Sequence, residues 1–341
     1  MKVNSKHVNA LLKLGRHLLD FNPKDSVYAP LQKQIHQALI HNGWFTQETI
    51  QQCFSSWGKA LTSFNLEQWL SPYSFPTQTQ PKTIALVLAG NIPMVGFHDI
   101  ICVWLSGHKA RVKCASKDLY LLPYMTHFLE QEVGEERITF TDQKLENFDA
   151  VIATGSNNAA RYFDHYFSSF PNIIRKNRNG IAVLDGTETE EELKGLGRDI
   201  LQYFGLGCRN VAKIYLPKAY DLNLIFGGLF PHAEVINHAK YGNNYDYNKA
   251  VWLMSEFDFL ENGFFMLKED SGFSAPISCA HYSYYENIED VRKEIQVHKE
   301  AIQCVVSKLK IEGAIPLGTA QQPNVWDYAD GIDTLSFLEN L

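Results

Sequence analysis

The stretch TIALVLAGNIPMVGFHDIICVWLSGHKARVKCASKD, residues 83–118, decides the fold. An apolar run over 83–88 ends in Ala89, Gly90 and Asn91. A helical stretch follows over 96–106, closed by Gly107, and a second apolar run fills 110–114. A strand, a helix long enough to cross back over a sheet and a further strand make a parallel crossover unit. The alternation continues, with strands expected at 137–141, 150–153 and 180–184 and helices at 119–132 and 157–170. The prediction is an α/β chain with a largely parallel sheet covered on both faces. Ligands in such sheets sit beyond the carboxyl ends of the strands.

Upstream, apolar positions recur at helical spacing over 11–21 and 31–40, and a loop rich in Ser, Pro, Thr and Gln at 71–82 reads as a boundary. Downstream, Thr187 with Glu190 reads as a capping box, and the acids from Glu188 to Glu192 suit the positive end of a helix. A strand near 211–216 and a Gly-rich turn at Gly227 and Gly228 open a second α/β lobe, and 326–341 reads as a tail with one last apolar segment.

The 31 Lys and Arg against 38 Asp and Glu leave a net charge of -7, which argues against a nucleic-acid partner. At 45% hydrophobic residues the chain can bury enough apolar surface to offset its ordering entropy. Six cysteines lack any CxxC pairing, which fits a reducing cytoplasm, and the 12 histidines lack metal-ligand spacing, so no metal is expected. Apolar residues never run for 18 positions, so no membrane span is expected. The N-terminal pattern is that of an amphipathic helix and not of a signal peptide.

The sequence contains no HExxH, Walker A or GxSxG motif, and Gly205-Leu206-Gly207-Cys208-Arg209-Asn210 misses GxGxxG in its last place. Cys208 lies between permissive glycines and the cation Arg209, a setting that favours a reactive thiolate; the plain alternative is a small buried hydrophobe. Asn91, after a strand, offers an amide to a developing oxyanion or caps a turn. Lys113, Ser116 and Lys117 end a strand, where they meet ribose or phosphate oxygens or are simply solvated. Thr154, Gly155 and Ser156 run from a strand into a helix N-terminus, a phosphate site or an ordinary cap.

In order, these pieces resemble the LuxC-type acyl-CoA reductase family, built on the aldehyde dehydrogenase fold. The matching text is residues 86–118, ATGSNNAARYF (153–163), IIRKNRNGIAVLDGTET (173–189), YFGLGCRNV (203–211) and, more loosely, DYADGIDTLSFL (327–338). The resemblance implies a Rossmann-like parallel-sheet cofactor domain plus a second α/β catalytic domain. The divisions expected are a helical region, 1–80, packed on a dinucleotide-binding domain, 81–184, then a thiol domain, 185–317, and a tail, 318–341, available for oligomerisation.

Carried onto this chain, the resemblance makes Cys208 the nucleophile and Asn91 an oxyanion donor beside the Cys208 amide. Gly207 would let the backbone pass close to the substrate. Lys113 and Ser116 would contact the adenosine ribose, and Thr154, Gly155 and Ser156 the nicotinamide end. Glu269, in Lys268-Glu269-Asp270-Ser271-Gly272-Phe273, would grip the nicotinamide ribose. Hydrolytic relatives carry a general-base glutamate on the segment matching 173–180, which here holds no carboxylate. A thioester acyl-enzyme without that base survives to be reduced or passed to coenzyme A. Lys117 stands where an acid would select NAD, which favours NADPH, with NADH as the alternative. The implied activity is reduction of a fatty acyl-CoA to the aldehyde. Its rivals are a CoA-acylating aldehyde dehydrogenase acting on short aldehydes and a catalytically silent scaffold of an acyl-transfer complex. A homodimer and an acyl-activating partner enzyme are the implied partners.

Overall fold

The computed structural model describes residues 4–75 and 80–341. The chain divides into two compact units, Met1–Lys176 with Pro323–Leu341, and Asn177–Gln322.

The first unit begins with four helices, α1 (Ser5–Leu19), α2 (Ala29–His41), α3 (Gln47–Ala60) and α4 (Ser63–Leu70). Then β1 (Thr83–Val87), α5 (Phe97–Leu105), β2 (Lys109–Lys113), α6 (Leu121–Val133), β3 (Ile138–Phe140), β4 (Ala150–Thr154) and α7 (Asn157–Tyr166) follow as expected, and a strand not read in the sequence, β5 (Asn172–Arg175), completes the run. Their strands form one parallel sheet in the order β3-β2-β1-β4-β5. The chain leaves β1 toward β2 and β3, then returns to the other side at β4, so the topological switch lies between β1 and β4. Helix α5 is apolar on nearly every side and accordingly buried, His98 being its one partly exposed residue. Helix α1 packs on α3 and α6, which makes the N-terminal helices part of this unit. The boundary expected at 71–82 separates no compact units, and residues 76–79 of that loop lie outside the described residues.

The second unit holds β6 (Asn179–Val183), α8 (Glu190–Leu201), β7 (Val211–Pro217), α9 (Leu222–Leu229), α10 (Ala239–Met254), β8 (Leu260–Glu261), β9 (Met266–Glu269), β10 (Cys279–Tyr285), α11 (Ile288–Val297) and β11 (Ile302–Val306). Its sheet runs β11-β6-β7-β10-β9-β8, parallel except for β8. Ile181, Val183, Tyr215, Val291, Ile295, Ile302 and Val305 form a core under α11.

Four expectations change. The first unit ends at Lys176, where the expected dinucleotide-binding domain ran on to residue 184, because β6 pairs with β7 and β11 of the second sheet. The capping box is Thr189 with Glu192; Thr187 instead donates its hydroxyl to Asp185 at 2.7 Å. Gly227 and Gly228 lie inside α9: a Cβ on Gly228 would stand 2.5 Å from the Leu193 carbonyl, so the glycine permits a close crossing of α8 and α9. The tail divides, since residues up to Gln322 stay with the second unit and Pro323–Leu341, with α12 (Thr334–Glu339), returns to the first. There Tyr73 donates to Asp333 at 2.7 Å, Trp69 to the Tyr328 hydroxyl at 2.8 Å, and His108 Nε2 contacts the Leu338 carbonyl at 3.1 Å. Among the described residues no helix is long and apolar enough to cross a membrane.

Candidate active site

Beyond β1 the chain turns tightly. A Cβ on Gly90 would stand 2.8 Å from the Ala115 Cβ, so this turn touches the loop that follows β2. Three buried side chains hold its backbone. Asn42 Nδ2 donates to the Gly90 carbonyl at 3.1 Å, Cys53 Sγ donates to the Pro93 carbonyl at 3.3 Å, and Asp118 Oδ2 accepts from the Met94 amide at 3.2 Å. Met94 takes a left-handed backbone, φ 56°, which a non-glycine residue keeps only where its surroundings impose it. Asn91, between these anchors, is exposed. Burial drives the Asp118 carboxyl up to about 7 against the opposing Met94 amide.

The other predicted cofactor groups of this unit share the same sheet edge. Lys113 closes β2 and donates from Nζ to the Gln143 carbonyl at 3.2 Å; Ser116 and Lys117 in the next loop are exposed. Thr154 closes β4, the Gly155 amide donates to the Arg175 carbonyl at 3.3 Å, and Ser156 Oγ caps α7 by accepting from the Ala159 amide at 3.2 Å. Asn91, Lys113, Ser116, Lys117, Thr154, Gly155 and Ser156 therefore all lie at strand ends around the β1–β4 switch. The amino end of α7 with the Lys117 cation is a donor set suited to an anionic dinucleotide.

Within 173–180, Arg175 is buried. Its Nη1 meets Asp99 Oδ2 at 2.5 Å and its Nη2 donates to Thr334 Oγ1 at 3.0 Å. A guanidinium held this way is charged and acceptor-free, so it offers no base.

In the second unit, Cys208 lies in the turn between α8 and β7. Tyr203, Phe204 and Gly205 take successive left-handed conformations, φ 54°, 60° and 74°, which reverse the chain after α8. Residues 207–210 then form a turn closed by the Asn210 amide on the Gly207 carbonyl at 3.1 Å. The buried Asn210 side chain organises both features. Its Nδ2 contacts the carbonyls of Asp199, Ile200 and Gln202 at 3.1, 3.1 and 2.9 Å, and its Oδ1 accepts from the Gly207 amide at 2.7 Å. It thus satisfies carbonyls that the end of α8 would leave open. Asp199, 1% exposed, accepts from the amides of Gly318 and Ala320 at 2.6 and 2.9 Å, and Arg209 Nε donates to the Ala320 carbonyl at 2.5 Å. Burial raises the Asp199 carboxyl to about 6, against those two amides.

Cys208 is half-buried. The other five thiols are pushed up by burial, Cys304 to about 11, Cys114 and Cys279 to about 12, and Cys53 and Cys102 further.

Glu269 is not brought to the cysteine turn. It ends β9 exposed, and the parallel register sets it level with Tyr282 and Ile214, midway along β7, whereas Cys208 precedes that strand. Its neighbour Asp270 is the anchored carboxylate, held by Lys268 Nζ at 2.6 Å and the Gly272 amide at 2.8 Å, which lower it to about 2. Sequence reasoning missed Asn42, Cys53 and Asp118, which no local pattern marks. It also passed over Asn210, visible only as the letter that spoils GxGxxG. Among the described residues no group of three or more His, Cys, Asp or Glu could hold a metal.

No protein-family profile matches the chain. Among solved structures, an indole-3-acetaldehyde dehydrogenase of P. syringae in complex with NAD+ and IAA superimposes with a TM-score of 0.63 at 10% identity, covering 85% of this chain and 69% of that one. The NAD+ complex of an aldehyde dehydrogenase from Bacillus cereus gives 0.62 at 11% identity, covering 90% and 72%. The fold is that of the aldehyde dehydrogenases. The two sheets, one parallel and one parallel except for β8, match that two-domain fold. Among curated proteins, the long-chain acyl-protein thioester reductase of Aliivibrio fischeri is 22% identical over 228 residues, 60% of this chain and 47% of that protein. The chain thus spans about half the length of the curated relative it matches. The likeness to aldehyde dehydrogenases and to a LuxC-type reductase agrees with the resemblance drawn from the motifs.

Proposed function

We propose that the chain is a nicotinamide-dependent oxidoreductase that reduces an acyl thioester to the aldehyde through a thioester on Cys208. The observation that carries this reading is the cysteine turn: a half-buried thiol in an aldehyde dehydrogenase fold, fixed on both sides by Asn210 and Arg209. The buried Asp99–Arg175 pair supports it, because the segment where hydrolytic relatives carry a base holds a spent cation instead.

In this reading the Cys208 thiolate attacks the acyl carbonyl, the Asn91 carboxamide and the Cys208 amide stabilise the oxyanion, and the donor thiolate leaves and takes a proton. Gly207 lets the backbone come close to the acyl group. Lys113, Ser116, Lys117, Thr154, Gly155 and Ser156 would hold the dinucleotide, Lys117 favouring the 2′-phosphate of NADPH. When bound, the nicotinamide supplies the hydride. Lacking a water-activating base in 173–180, the chain protects the acyl-enzyme from hydrolysis. The acyl donor is a fatty acyl-CoA; the curated relative, a long-chain acyl-protein thioester reductase, suggests an acyl-protein thioester as a second donor of the same chemistry.

The test is NADPH consumption with a ladder of acyl-CoA chain lengths, comparing wild type with Cys208→Ser. Turnover that needs both acyl-CoA and Cys208 is expected. Activity confined to oxidation of short aldehydes with CoA would replace the reading with an acylating dehydrogenase. Binding of acyl-CoA with no turnover for either cofactor would make the chain a scaffold.

A further inference from the structure

Asp118 is the least explained polar group near the proposed site. It is 1% exposed, and while Oδ2 accepts from the Met94 amide, Oδ1 has no hydrogen-bond partner among the described residues. A carboxylate buried with one bare oxygen is costly, and the same group carrying a proton is much less so. The titratable groups facing it are thiols, Cys53 from α3 and Cys114 from the end of β2, and its neighbour Lys117 is exposed. Its upward shift is due to burial, with the Met94 amide opposing.

The other two anchors of the turn, Asn42 on Gly90 and Cys53 on Pro93, are neutral. Asp118 alone among the three can change charge near neutrality, and it holds the residue whose backbone is strained. We propose that Asp118 is a positioning residue for the Asn91 carboxamide, working in its protonated form, and that losing this proton loosens the turn. Ionisation leaves a charge with one donor among the described residues in a buried site, and a looser turn brings more water to Oδ1. The inference rests on reading Asn91 as the oxyanion donor.

The deciding experiment is amide hydrogen exchange of the full chain over 88–96 at about pH 5.5 and about pH 8.5, with the intrinsic pH dependence divided out. Wild type is expected to exchange about threefold or more faster at the higher pH, and Asp118→Asn, which keeps an acceptor for Met94 and cannot ionise, equally at both. Equal protection of wild type at both pH values, or the same rise in the Asn variant, overturns the proposal. Should that variant not fold, wild type and Asn42→Ala decide it, the latter raising exchange alike at both pH values.

The kinetic arm is kcat and KM against pH. Relative to Asp118→Asn, wild type should lose kcat as pH rises through 7 with KM for the acyl donor unchanged; a change confined to KM also overturns the proposal. Exchange needs no turnover, so failure of the Cys208 test with the exchange result intact rejects the reductase reading alone. Failure of exchange in an active enzyme rejects the Asp118 proposal alone.

Discussion

The turn that carries Asn91 and the turn that carries Cys208 solve one problem, fixing a short non-repetitive backbone, by opposite means. The Asn91 turn is held by side chains 48, 40 and 24 residues distant in sequence, counting from the backbone group each one grips. The Cys208 turn is held first by Asn210, whose four contacts reach 3 to 11 residues back, and only then by the tie of Asp199 and Arg209 to 318–320. A locally organised turn can form with its helix. Two of the three long-range anchors, Asn42 and Cys53, come from the N-terminal helical region, which gives that region a role at the turn.

The comparison breaks first at the residues the two turns present. Cys208→Ser should lower acyl-CoA-dependent NADPH oxidation by about 10⁴-fold or more with the thermal midpoint unchanged, as loss of a covalent nucleophile does. Asn91→Ala removes a single oxyanion donor and should lower kcat by about 10²–10³-fold, again with the fold intact. A near-normal rate in either variant would take that residue out of the site.

Removing the local organiser tests stability and activity together. Asn210→Ala strands three carbonyls and the Gly207 amide in a buried place, which should cost roughly 2–4 kcal/mol in denaturant unfolding and slow alkylation of Cys208. If stability falls while the alkylation rate holds, Asn210 supports α8 and not the thiol.

Both turns also lean on a buried acid, Asp118 after β2 at the Asn91 turn and Asp199 in α8 before the Cys208 turn. Asp199 moves from 3.8 to about 6 on folding, so the folded chain binds that proton more tightly than the unfolded chain. Its contribution is fully present below the unfolded value and is lost as pH rises through about 6. Asp270, lowered to about 2, acts the other way, contributing above 3.8 and losing that contribution as pH falls. Relative to Asp199→Asn, wild-type stability should therefore decline from about pH 4.5 to about pH 7. That variant also faces one of the two amides with an NH₂ group, at a cost of roughly 1–3 kcal/mol. A slope unchanged by the substitution would place the titration elsewhere, with Asp118 the next group to test.

What was legible in the sequence follows the same division between local and distant. Strands β1 to β4 and helices α5 to α7 could be read because hydrophobic period and Gly punctuation are local properties. So could the cysteine turn, whose glycines and Asn210 are adjacent in the chain. Strand β5 was not read: it follows α7 after only five residues and carries just two apolar positions, Ile173 and Ile174, side by side. The membership of β6 depends on which strands it pairs with, and pairing is decided far from the residues themselves. Gly228 looks like a turn in the sequence because the Leu193 carbonyl that needs its missing Cβ lies on another helix. For the same reason Asn42, Cys53 and Asp118 carry no signal in one dimension.

The smallest effect sharpens the comparison most. Thr189 caps the amino end of α8 in a reciprocal box with Glu192, while Asn210 and the cysteine turn sit at the other end of the same helix. Thr189→Ala should cost about 1 kcal/mol of stability. If the cysteine turn is fixed by the last turn of α8 alone, fraying of the first turn leaves Cys208 alkylation and kcat unchanged. If instead α8 positions the thiol as one rigid rod, the alkylation rate changes with the cap. The two turns would then differ less than their hydrogen bonds suggest, each depending on structure well outside its own neighbourhood.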